Sequence, residues 1–296
     1  MKRNSGHNIA CDNECGGLHQ SNPLSLAKNE ISSTLSWFMT DNALYPGVDK
    51  HSSPLRYENW SGRYSEYISR QEAESIVSRF ICPEKDENFT LFFVSDYKDT
   101  YLGKNFLKDG SDIYLKHYRM TDAPREIRLR NVLRRCLARK NFNAFYQLHQ
   151  KNIEAVKPLF YVMKRGRWIP DEVIAVSKGA SGNKTIETLM ADSRDNDEFR
   201  LLAVNLGSYV AELQSREILF KELYRNLIAV NQTTHWDFIL CDLDEIRSVS
   251  EKRLYKHRKH VEKLRKKIKR YGDAFLHAFD QGYQTRMHDQ TAPSRR

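Results

Sequence analysis

Six side chains in this 296-residue chain have types and positions that could hold phosphate, ligate a divalent cation or move a proton. Lys116 stands in the run Ile113-Tyr114-Leu115-Lys116-His117-Tyr118. That alternation predicts a strand with Lys116 on the face of Tyr114 and Tyr118, where an ammonium can hold phosphate oxygens as a point charge. Asp242 follows the apolar run Phe238-Ile239-Leu240-Cys241, and Asn226 precedes Leu227-Ile228-Ala229-Val230. A carboxylate and an amide oxygen at strand ends are hard ligands suited to magnesium. Glu222, just before Asn226, could accept a proton from a hydroxyl group. Its neighbour Lys221 could do so at neutral pH only with a deeply depressed pKa. Asn141, in a helical stretch after the Lys116 strand, could hydrogen-bond a cation but not neutralise it. Each type also has plainer uses: lysine on a solvated strand, aspartate and asparagine in turns. Their order and spacing raise their weight, with Asn226 lying 110 positions beyond Lys116 and Asp242 a further 16 beyond that.

Hydrophobic spacing gives the elements that would position them. Residues 64–81 predict a helix through Ile68, Ala73, Ile76, Val77 and Phe80, ended by Cys82-Pro83. Residues 88–95 and 111–119 predict strands, with room for another between. Helices are expected over 123–137 and 138–151, strands over 153–163 and 171–177, then a Gly-rich connector, KGASGNK. A helix over 198–217 leads into a strand-turn-strand unit that ends in Asp242-Leu243-Asp244. Residues 251–279 predict one long helix with an apolar stripe of Leu254, Val261, Leu264, Ile268, Tyr271, Phe275 and Phe279. Phe92, Phe93, Tyr146 and Phe160 are expected in the core, and Cys241 is read as a buried, inert thiol. The order gives an α+β fold, β-rich first and helical second.

The net charge of +10 is concentrated. Residues 251–270 hold eleven Lys/Arg against two Glu, and residues 125–140 hold seven against one. Such segments suit an anionic partner: nucleic acid, a membrane face or a phosphorylated substrate. Aromatic residues for base stacking are sparse at 251–270, only Tyr255 and Tyr271, so a solvated basic face or an anionic membrane surface is preferred to nucleic acid. No apolar run reaches the roughly 18 residues of a membrane span, and no apolar stretch follows the basic start as in a signal peptide. Five cysteines make no disulfide framework, so a cytoplasmic location is the expectation. His7, Cys11, Cys15 and His19 could hold zinc, although their spacing matches no common finger.

Three segments resemble the lipopolysaccharide kinase family, the Kdo and core-heptose kinases, which have a protein-kinase-like two-lobe fold. DIYLKHYR resembles the third strand with its phosphate-holding lysine, here Lys116. VNLGSYVAELQSREILFKELYRNLIAV resembles the helix, catalytic loop and strand of the second lobe, with Asn226 at the magnesium-ligating asparagine. WDFILCDLDEIR resembles the metal-binding segment, with Asp242 at its aspartate. IAVSKGASGNKTIETLM resembles the inter-lobe hinge. The likeness covers about 88–280. It implies an N-lobe over 86–178 and a C-lobe over 179–283; outside it, polar composition predicts a flexible leader over 1–30 and a polar tail over 284–296, with an N-terminal extension over 31–85.

The resemblance implies ATP and magnesium as cofactors and a sugar or glycolipid hydroxyl as acceptor. It also implies peripheral attachment to the inner membrane through residues 251–270. Three departures bear on activity. Only Gly103 and Gly110 stand near the phosphate-covering turn. The slot of the lysine's glutamate partner falls on Asn141, with Glu126 as an alternative. The catalytic-loop aspartate position is Lys221, with Glu222 one residue later. Two readings therefore stand: an active sugar kinase, and a catalytically impaired pseudokinase that acts as a regulatory or binding module.

Overall fold

The computed structural model describes residues 51–81, 87–128, 137–166, 170–180, 184–192, 197–220, 222–243, 246–248 and 255–291. The leader, the His7/Cys11/Cys15/His19 set, most of the helix expected over 123–137, and Lys221 lie outside them.

Seven strands form the first sheet, in the order β1-β2-β6-β7-β5-β4-β3. They are β1 (Ser52–Tyr57), β2 (Trp60–Ser65), β3 (Phe89–Val94), β4 (Lys98–Gly103), β5 (Ile113–Arg119), β6 (Pro158–Lys164) and β7 (Glu172–Lys178). All pairings are antiparallel. α1 (Arg70–Ile81) precedes β3, and α2 (Leu137–Gln150) joins β5 to β6. Alternation divides β5 between two cores. Ile113 and Leu115 cluster with Ala73, Ile76, Val77 and Phe80 of α1. Tyr118 clusters with Phe142 and Phe145 of α2 and with the helical half. Lys116 shares the second face, as its spacing predicts.

The C-terminal part is mainly helical. β8 (Lys184–Thr185) and α3 (Ile186–Asp192) lead into α4 (Asp197–Ser215). β9 (Ile218–Leu219), β10 (Leu227–Gln232), β11 (His235–Leu240) and β12 (Arg247–Ser248) follow, then α5 (Tyr255–Ile268) and α6 (Asp273–Thr291). β10 pairs with β11 and β8, and β9 pairs with β12. The apolar stripe of α4, through Phe199, Leu202, Leu206 and Val210, is buried in one cluster with Phe275 and Phe279 of α6.

Most of the expected elements are present, and four details differ. The hairpin β1-β2 widens the sheet beside β6, although its turn-rich sequence reads as irregular. The helix expected over 251–279 is two helices. Gly272 adopts φ 124°, a conformation other residues avoid, and a 3-10 turn at Lys269–Tyr271 precedes it. The second helix continues to Thr291, and Tyr271 leaves the buried stripe at the break. Phe92 and Phe93 are exposed rather than in the core, because β3 is an edge strand.

Candidate functional site

Lys116 and Asp242, 126 positions apart, meet in a contact of 2.6 Å between Nζ and Oδ1. Each is placed by backbone hydrogen bonding. β5 is paired on both sides, with Thr100 of β4 and Ala175 of β7 opposite Lys116. Asp242 leaves the end of β11, where Leu240 N–H donates to Glu154 O and Val156 N–H donates to Leu240 O. Cys241 N–H donates to Asn226 O at 2.8 Å, which fastens the chain beside Asp242 to the start of β10. Asp242 itself has φ 53°, a left-handed backbone that few non-glycine residues adopt, though aspartate tolerates it better than most.

The pair borders a small cavity of about 40 Å³, also lined by Asn141, Ala175, Ser177 and Leu243. A space of this size takes a water, not a nucleotide. Burial pushes the Asp242 carboxyl up, but the charge and hydrogen bond of Lys116, aided by Lys98 and Lys140, hold it below the usual carboxylate range. Three lysines thus act on one aspartate. Burial and the neighbouring Asp242 push the Cys241 thiol up to about 12, which leaves it an unreactive thiol at neutral pH.

The structure brings Lys116, Asn141 and Asp242 to one cavity. Asn141 Oδ1 is buried and has no hydrogen-bond partner there. Replacing Asn141 with leucine removes that orphaned acceptor, and it should raise stability by about 1 kcal/mol in a thermal melt. Glu126 is exposed and does not line the cavity. Asn226 reaches Asp242 only through the main-chain bond to Cys241 and is not among the lining residues. Glu222 is exposed, pairs with Arg225 at 3.4 Å, and lines a different groove of about 530 Å³ against α5.

The turn that joins β3 to β4 is Ser95-Asp96-Tyr97, without glycine. Gly103 ends β4 and Gly110 lies in the next loop, so neither occupies that turn. Arg119 holds the turn in place of glycine flexibility. It pairs with Asp99 and donates to Ser95 O and Asp96 O. Sequence reading missed Lys98 and Arg119, because what Lys98 reaches in β5 and what Arg119 reaches in β4 is set by the β4-β5 register.

The fold is the α+β class expected. The meander β3-β4-β5, the helix α2, and the insertion of β7 between β5 and β6 make a β-rich N-terminal sheet before a mainly helical C-terminal part. No family model matches the chain, and no curated protein matches it. Among solved structures, a chain described as "WaaP in complex with acyl carrier protein" is similar to it. The two share 13% identity over 68% of this chain and 80% of that one, with a TM-score of 0.48.

Proposed function

We propose that this chain is an ATP-dependent phosphotransferase acting on a sugar hydroxyl of lipopolysaccharide core or a related glycolipid. The Lys116–Asp242 contact supports this reading most, since it joins a strand cation to a carboxylate at the end of β11 in a kinase-like fold. The donor set fits magnesium carried on a nucleotide, because that ion needs only one or two protein carboxylates besides phosphate oxygens. Asp242 would hold it, with Asn226 as a second ligand, and magnesium would neutralise charge on the phosphates. Lys116, released from Asp242, orients the phosphates by charge. By their place in the sequence, Glu222 or Lys221 would orient the acceptor hydroxyl. Positioning and charge neutralisation carry most of such a transfer, so a weak base need not abolish it.

A thermal melt with magnesium and ATP tests the nucleotide site. Binding only to the folded form should add about 2.7 kcal/mol at a hundredfold excess over the dissociation constant. Acceptor phosphorylation then tests the chemistry. One observation favours the second reading, a pseudokinase: Glu222 pairs with Arg225 in a groove other than that of Lys116 and Asp242. No stabilisation by any nucleotide would decide for it.

No helix among the described residues is long and apolar enough to cross a membrane. The proposed membrane contact is the exposed face of α5, with Arg258, Lys259, Lys263 and Lys266. Each such cation near an anionic leaflet contributes about 1 kcal/mol. A high-salt wash should therefore release the protein from membranes.

A further inference from the structure

β3 ends the seven-strand order, and β4 is its one strand partner among the described residues. Leu91, Phe92, Phe93 and Val94 are 51, 67, 48 and 59% exposed. They are consecutive, so both faces of the strand are apolar. Of the devices that usually blunt an edge, the strand, FTLFFV, has only a bulge, at Phe92 where its register with β4 shifts, and it holds neither a charge nor a proline. The opposite edge has both, since β1 carries Pro54 and Arg56. An uncovered apolar run of this kind marks an interaction surface.

The chemistry of the edge selects its occupant. The outer side of an edge strand presents main-chain N–H and C=O groups. Placing them in hydrocarbon without partners costs several kcal/mol each, so lipid is a poor cover and another strand a good one. That strand must be apolar on both faces to match. β3 meets this requirement itself. Antiparallel pairing about a two-fold axis sets each copy against the same uncharged sequence, with Phe and Leu opposite one another and no like charges within the strand. The area fits a weak association. Two half-exposed phenylalanines, a leucine and a valine from each copy, with the strand ladder, bury at most roughly 1,000 Å² in all. That is the size of a transient interface rather than a permanent one.

We propose that two copies of this chain associate through β3, joining their sheets into one. The interaction is independent of any phosphotransfer. It would also steady the turn Ser95-Asp96-Tyr97 and Lys98, which lies 5.4 Å from the Phe93 ring.

Sedimentation of the full chain from about 1 to 100 μM tests this, a range that brackets micromolar association. Wild type should show a concentration-dependent dimer. Phe92→Lys and Val94→Lys should each weaken it about tenfold or more, with circular dichroism and melting temperature little changed. Val94 serves as the second variant because Phe92 also touches the Tyr114 ring, at 5.9 Å. A wild type that stays monomeric across the range overturns the proposal, and so does a dimer that neither substitution affects. Flotation of a monomer with anionic vesicles, abolished by both substitutions, would assign the face to lipid and overturn it as well.

Discussion

Lys116→Met removes both the stability that the ion pair contributes above about pH 4 and the proposed nucleotide site. The substitution leaves the largely buried Asp242 carboxylate without its hydrogen-bonded cation. Breaking one side of a fully buried pair costs about 3–5 kcal/mol, and partial solvent contact at Asp242 brings the expectation to about 2–3 kcal/mol. The double variant Lys116→Met/Asp242→Leu removes both charges and should recover much of that loss. It should not recover stabilisation by magnesium and ATP. Stability and binding therefore separate in one double-mutant cycle. If the double variant melts as low as the sum of the singles, the contact is not energetically coupled. The pH dependence gives a second reading. Asp242 is depressed in the folded protein, so its contribution is complete above the unfolded value near 4 and is lost as pH falls through the folded value. In Lys116→Met, burial becomes the leading influence and raises the carboxyl. Its contribution is then retained in acid and lost as pH rises through the new value. Chemical denaturation at several pH values should show the slope change sign.

Gly207→Ala and Gly282→Ala should each destabilise the protein by about 3 kcal/mol or more. α4 and α6 run side by side in the same direction, with the Phe199 and Phe275 rings 4.2 Å apart at one end. A Cβ on Gly207 would stand 2.0 Å from Phe279 O, and one on Gly282 would stand 2.0 Å from Val204 O. Both clashes are with backbone, which no rotamer change relieves. Alanine improves intrinsic helix propensity by about 1 kcal/mol, so propensity predicts the opposite sign. The close approach wins because the helices must separate, and separation uncovers Phe279 and Leu206, now fully buried. Melting curves that are unchanged or raised would show that the helices slide apart without loss. Ser208→Ala is a useful control, since it removes only the 3.2 Å hydrogen bond to Gly282 O.

Local periodicity revealed the elements, and pairing at long range decided the site. α1, α4 and the strands around Lys116 were legible because each has one buried face with its own period. The hairpin β1-β2 was not. Its apolar residues are few, and its place depends on β6, about a hundred residues away. The break at Gly272 carried a signal, a glycine inside a helical run, which the apolar stripe outweighed. Lys116 and Asp242 could be named from sequence, and their contact follows from the β5 pairing and the path of β11. Phe92 and Phe93 misled because alternation says nothing about whether a strand lies at the centre or the edge of a sheet. Asn226 and Glu222 show the limit most plainly. Their spacing to Asp242 suggested one site, but the loop geometry turns Glu222 into the groove beneath α5.

The bonds that fasten Leu240 to Glu154 and Val156 are made entirely by main-chain groups. Their chemistry is the same whatever side chains those positions carry. Only proline, at 156 or 240, would delete a donor. A latch of this kind survives sequence drift that erases almost every recognisable residue around it. The carboxylate at 242 can thus remain opposite the lysine strand while the neighbouring loop loses or changes its chemistry. Shape and reactivity are separable at such a site, because its geometry is held through peptide groups and its reactivity through side chains.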